Sequence, residues 1–258
     1  MKSKLLLCVV SISIITLGGC AGTPASKSPS TNTSASTNTK DTKALGAKDI
    51  IARYEKAIYG KEGVAKHSSM TVKGTLSIEQ FAVEGPFVRY ARAPDSNVSN
   101  IEVMGMSLSN GCHKGVCWGQ QPGAGTTILS GDAAAMQLQQ ADYNQWEHMD
   151  RYYTSMEIVP PADGKESPNY KIKAVKKNGD TDYYDFSKES GLLVAAVFEG
   201  ETGQGRMKIA IQFKNYKDFD GFAIPTELTQ STPQATIKLT FTEVSFAPLT
   251  DDKFAKPN

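Results

Sequence analysis

The sequence predicts an α+β domain built on one curved antiparallel β-sheet, an unclosed half-barrel with helices covering its open concave side. Three observations carry this prediction. Apolar residues alternate with polar ones at period two through the longest runs after Ser69, Gly-containing turn dipeptides punctuate those runs, and two segments switch to helical spacing. A sheet with one apolar and one wetted face is antiparallel by preference, and helices gathered on one side of it give the α+β layering. A closed up-and-down barrel is the structural alternative.

The elements follow in order. Ile50, Ile51, Tyr54, Ala57 and Ile58 share one face at helical spacing, and Gly60 offers a stop. Met70, Val72, Leu76 and Ile78 then alternate with Thr71, Lys73, Thr75, Ser77 and Glu79, as in a strand with one wetted face. From Ser130 to about Trp146 the alternation stops: Ala133, Ala134, Ala135, Met136, Leu138 and Ala141 favour a helix, with Ser130 or Asp132 as N-cap. Small side chains suit a lid that sits close to a sheet, with Met136 and Leu138 as lid-helix candidates, although Ala is also simply a good helix former. Downstream, Met207, Ile209, Ile211 and Phe213 share a strand face, and Ile237, Leu239 and Phe241 repeat the pattern. Asn110-Gly111, Asn178-Gly179 and Asp220-Gly221 read as tight turns.

A concave apolar face must be filled by side chains, a helix or a ligand, because large voids are costly. Met70, Val72, Leu76, Ile78, Ile209, Ile211, Phe213, Leu239 and Phe241 are therefore candidates either to line a lipid cavity or to form solid core.

The N-terminus predicts export. Lys2 and Lys4 precede an apolar run from Leu5 to Thr16, and Leu17-Gly18-Gly19-Cys20 has the form of a bacterial lipobox. The run is shorter than the roughly 20 residues that span a bilayer. Residues 1–19 are expected to be a lipoprotein signal peptide, and in proteins that this segment resembles the following cysteine, here Cys20, is acylated. Two or three acyl chains anchor far more firmly than one. Ala21, in place of an aspartate, favours the periplasmic face of the outer membrane in a diderm source, or the outer face of the cytoplasmic membrane in a monoderm. Residues 20–45 continue as a Ser/Thr/Ala-rich tether with too little apolar surface to fold, leaving 46–258 as the folded domain.

The 28 basic residues less Lys2 and Lys4 leave 26 against 27 acidic ones, and no basic run exceeds Lys176-Lys177. A nucleic-acid partner would favour a clustered basic surface instead. Cys112 and Cys117 flank His113-Lys114-Gly115-Val116 and, in an oxidising compartment, are expected to form a disulfide. A zinc site using His113 is the rival, but structural zinc wants four ligands, and His67 and His148 are isolated in the sequence. Trp118, Trp146 and the Tyr152-Tyr153 pair suit either lipid contact or core. Glu147-His148-Met149-Asp150 groups ionisable side chains, yet no G-x-S-x-G or H-E-x-x-H motif accompanies it. The expectation is a protein that is not an enzyme and uses no metal or cofactor.

The helix with Ile50, Ile51 and Tyr54, the run from Ser69 to Leu76, Gly111 to Trp118, the hairpin Tyr216-Lys217-Asp218-Phe219-Asp220-Gly221-Phe222-Ala223-Ile224-Pro225-Thr226 and the closing Phe254 to Pro257 together resemble the LolA/LolB-like superfamily of bacterial lipoprotein carriers and outer-membrane lipoprotein-sorting proteins. The resemblance covers nearly all of 46–258 and rests on order and texture. It implies a half-barrel with a helical lid over an apolar cavity, and lipid or acylated lipoprotein as the ligand of a carrier, acceptor or sensor. The alternative is a non-catalytic envelope scaffold without an exchangeable ligand. No family functional residue is placed on this sequence by the resemblance.

Overall fold

Residues 45–161, 164–202 and 205–257 are described by a computed structural model of the chain. The signal segment, Cys20 and all of the tether but Leu45 lie outside the described residues. Among the described residues thirteen strands pair antiparallel: β1 (Ser69–Ile78), β2 (Val83–Arg92), β3 (Ser96–Val103), β4 (Met106–His113), β5 (Val116–Gln121), β6 (Gly125–Ile128), β7 (Tyr153–Val159), β8 (Asn169–Lys176), β9 (Thr181–Ser187), β10 (Leu193–Thr202), β11 (Gly205–Phe219), β12 (Phe222–Ser231) and β13 (Thr236–Ser245). The sheet order is β6-β5-β4-β3-β2-β1-β13-β12-β11-β10-β9-β8-β7. Strands β6 and β7 are consecutive in the chain but lie at opposite edges, so the sheet is an unclosed half-barrel and not a closed barrel. The segment joining them must cross from one edge to the other. It carries α2 (Gly131–Ala141) and α3 (Met149–Tyr152), while α1 (Ala47–Tyr59) precedes the sheet.

Two glycines let neighbouring strands approach. A Cβ on Gly74 would lie 2.0 Å from the Thr240 carbonyl oxygen, and one on Gly85 would lie 1.7 Å from that of Glu102. At Gly74 the β1–β13 register also shifts, from Lys73 opposite Glu243 to Gly74 opposite Phe241. The extra residue in β13 is a bulge, which bends a strand and increases its twist. It also transfers inward burial from Leu239 and Phe241 to Val244, the partner of Val72.

The turn signals divide. Asn178-Gly179 and Asp220-Gly221 do sit at the β8–β9 and β11–β12 turns. Asn110-Gly111 does not form the expected turn: both residues are inside β4, paired with β3 and β5. The turn is Lys114-Gly115, with positive φ at both residues. Gly111 serves packing instead, since a Cβ there would lie 2.5 Å from the Asn97 carbonyl oxygen and 2.8 Å from Val98 Cγ2, with the Trp118 ring at 3.1 Å.

Helix α1 buries Ile50, Ile51, Tyr54 and Ile58 in the same apolar cluster as the strands' inward residues. At about 1.5–3 kcal/mol for each fully buried large apolar side chain, this face docks the helix far more strongly than its propensity could. Tyr54 meets Trp146 edge-on at 4.9 Å and Phe186 at 5.2 Å, so Trp146 is core. Trp118 is core too, but on the other face of the sheet, where Val98, Trp118 and Phe254 form a separate cluster. There the C-terminal segment is clasped by Arg92, which stacks over Phe254, donates to the Leu249 carbonyl and pairs with Asp251.

Candidate ligand-binding site

All nine inward residues singled out in the sequence, Met70, Val72, Leu76, Ile78, Ile209, Ile211, Phe213, Leu239 and Phe241, are buried, and they fall in one contiguous apolar cluster with α1 and Trp146. The structure thus brings them together on the inner face. A hollow of about 210 Å³ lies elsewhere, and none of the nine lines it.

That hollow is built where the crossing segment meets the far half of the sheet. Asp132, Ala135, Met136 and Gln139 line it from α2, at spacings that place them on one helical face. Arg151 and Tyr152 contribute from α3, and Lys176, Lys177, Asn178 and Asp180 from the β8–β9 turn. The turn is held by its own bonds: the Lys176 amide donates to the Asp180 carbonyl at 2.7 Å, and the Asp180 amide to Asn178 Oδ1 at 3.1 Å. Met136, a lid-helix candidate, is therefore a wall of this hollow. Leu138, the other candidate, packs with Ala141 on the Cys112–Cys117 disulfide, which bridges opposed positions of β4 and β5.

The underside of α2 is more polar than its alanines suggest. Its buried residues are Gln137, Gln139, Gln140 and Ala141. Gln139 Nε2 donates to the Tyr153 hydroxyl at 2.8 Å; that oxygen lies 2.6 Å from Asp182 Oδ2 and 2.6 Å from the Tyr184 hydroxyl. The Gln140 carbonyl accepts from Arg89 Nη2 and Asn97 Nδ2. Just beyond the helix, Asp142 accepts from the Tyr152 hydroxyl and lies 2.7 Å from His148 Nδ1. Helix α2 is thus fastened through polar contacts at Gln139 and Gln140, whereas the stretch after it is seated in the apolar core by Tyr143, Trp146 and Met149.

Burial dominates the electrostatics of this layer. It lowers the Arg89 guanidinium to about 9, still a cation at neutral pH, and pushes the phenols of Tyr153 and Tyr184 well above their ordinary range. It also raises the Asp182 carboxyl, against the opposing pull of Lys176, whose Nζ is 2.9 Å from Asp182 Oδ1. These groups act as structural fasteners.

Among the described residues no group of three or more His, Cys, Asp and Glu side chains is placed to hold a metal ion, and no helix is long and apolar enough to cross a membrane. His113 points its Nδ1 at Ser96 Oγ, 2.8 Å away. The hollow escaped sequence reasoning although parts of it were visible. The 132-135-136-139 spacing marks a helix face, and Lys176-Lys177 adjoins a recognised turn, but nothing in the sequence says that they meet.

No protein-family model matches the chain, and no curated protein matches it. Solved structures do. A LolA superfamily protein from Nitrosomonas europaea superposes over 83% of this chain and 99% of its own, with a TM-score of 0.55 at 13% identity. A DUF1329 family protein from Desulfovibrio piger covers 81% and 95%, with a TM-score of 0.53 at 14% identity. A domain named for outer membrane lipoprotein sorting, from Vibrio parahaemolyticus, covers 81% and 94%, with a TM-score of 0.53 at 13% identity. At such identities the likeness is one of fold, and the fold of this chain is LolA-like.

Proposed function

We propose that this chain is a membrane-anchored lipoprotein of the cell envelope, held by acyl chains on Cys20, that binds lipid or lipoprotein acyl chains inside the half-barrel. The observation that carries the reading is α2, which lies over the open side of an apolar sheet but is fastened to it through the Gln139 side chain and the main-chain carbonyl of Gln140, whereas the stretch that follows it is anchored in the core by Tyr143, Trp146 and Met149. Water can replace hydrogen bonds when such a segment lifts, so each costs a net of only about 1 kcal/mol. An apolar lid of the same area would resist opening in proportion to the surface exposed. Acyl chains entering behind α2 would leave water for the interior around Met70, Ile211 and Leu239, and the direction of transfer would follow the difference in burial between donor and acceptor. The names of the Nitrosomonas and Vibrio proteins agree with this reading. The periplasmic face of the outer membrane is the proposed location in a diderm source.

Native mass spectrometry tests it. Residues 46–258, exported behind an ordinary secretion signal and so lacking Cys20, should carry acyl-containing molecules that denaturation releases. A second reading, an envelope scaffold without exchangeable ligand, draws on the continuous packing of the nine inward residues with α1. Empty protein that also refuses added lipid would favour that reading and end the first.

A further inference from the structure

We propose that the hollow between α2, α3 and the β8–β9 turn is a head-group site, which takes the anionic end of an acyl amphiphile while the start of its chain lies against Ala135, Met136 and Tyr152. The inference rests on the reading that acyl chains are the ligand, and adds where the polar end sits and what charge it carries.

Three cations stand at the hollow: Arg151, Lys176 and Lys177. Lys176 is committed to Asp182. The Arg151 side chain is 62% exposed and its Nη1 is 3.9 Å from Asp142 Oδ2, a carboxylate that already has His148 at 2.7 Å and Tyr152. Lys177 is exposed beside it in the turn. Of the two carboxylates lining the hollow, Asp180 is buried and paired with Arg206, leaving Asp132, in the first turn of α2, to face the cations. The wall between these charges is apolar at Ala135 and Met136. Loosely held cations beside a small apolar wall suit one anionic group attached to an acyl chain, and the guanidinium and ammonium donors serve a phosphate or a carboxylate alike. Gln139 forms the inner wall and bonds Tyr153, so an amphiphile seated here lies against the bond that holds α2 down.

The test uses the full-length chain in phosphatidylcholine nanodiscs, with diazirine-bearing single-chain probes that differ only in their ends: a carboxylate, a phosphate monoester and an uncharged methyl ester. The expected result is that anionic probes label peptides containing Met136 or Tyr152 about five-fold more than the ester does, and that Arg151→Gln with Lys177→Gln removes this excess while labelling by the ester is unchanged. Both replaced side chains are exposed, so circular dichroism should show an intact fold. A stronger signal from the phosphate identifies phospholipid as the source, and an equal or stronger one from the carboxylate identifies free fatty acid. Equal labelling by all three probes, or an excess that survives the double substitution, overturns the head-group site and leaves acyl binding standing. Absence of labelling anywhere in the chain overturns both.

Discussion

Gln139 donates from its amide nitrogen to the Tyr153 hydroxyl across 2.8 Å, tying the helix of the crossing segment to the first residue of the far edge strand. The bond is buried, and Tyr153 keeps Asp182 and Tyr184 as partners without it. Gln139→Leu should therefore cost about 1 kcal/mol. Tyr153→Phe should cost more, about 1–3 kcal/mol, because Asp182 and Tyr184 lose a buried partner. Urea unfolding gives both values, and amide exchange in α2 should quicken in each variant. Unchanged exchange would mean that this bond does not hold the helix.

Curvature gives the second prediction. Gly74→Ala and Gly85→Ala place a methyl group within 2.0 Å and 1.7 Å of carbonyl oxygens on neighbouring strands, which no rotamer can relieve. Each should lower stability by more than about 3 kcal/mol or prevent folding. Gly119→Ala, where a Cβ would meet nothing within 4 Å, is the control and should be nearly neutral.

Asp251 sets an acid limit on the C-terminal clasp. Hydrogen bonds from Lys114 and Arg92 hold its carboxyl down to about 2, below the ordinary 3.8. A depressed carboxyl stabilises the folded state above its unfolded value and loses that contribution as pH falls, here between 3.8 and about 2. Asp251→Asn should flatten the stability curve in that window and loosen Phe254, read as a change in Trp118 fluorescence. An unchanged slope would remove Asp251 from the clasp.

Asp182 has the opposite sign. Burial raises its folded value, so it favours folding at low pH and its contribution declines as pH rises from 3.8 through the raised value. Asp182→Asn should remove that decline while keeping an acceptor for the Tyr153 hydroxyl. If stability still falls over the same range, another buried acid is responsible.

Much of the sheet was legible because period-two alternation reports burial directly. Val72 and Leu76 in β1, or Ile209 and Ile211 in β11, have no other explanation than an inward face. The missed turn at Asn110-Gly111 has a physical reason: the glycine is required by the close approach of β3, where the Asn97 carbonyl oxygen and Val98 leave no room for a Cβ, and a dipeptide cannot disclose a cross-strand neighbour. The polar underside of α2 was obscured for a related reason. Gln139 looks like a solvent-facing residue until Tyr153 is placed beneath it, and the main-chain carbonyl of Gln140 gives no sign of its partners until Arg89 and Asn97, distant in sequence, are brought to it.

The disulfide links the two themes of bridge and lid. Cys112 and Cys117 are directly opposed in β4 and β5, and Leu138 and Ala141 of α2 rest on them. Closing so short a loop contributes about 2 kcal/mol in the chain-entropy account. Replacing both cysteines with Ala should lower stability by about that amount and also loosen α2, because Cys112 and Cys117 are both buried beneath it. Hydrogen exchange separates the two effects. Protection should fall in α2 beyond what global destabilisation explains, while the cluster of Val98, Trp118 and Phe254 on the opposite face changes only with the global value. Equal loss on both faces would make the bridge a staple of the sheet with no special hold on the helix.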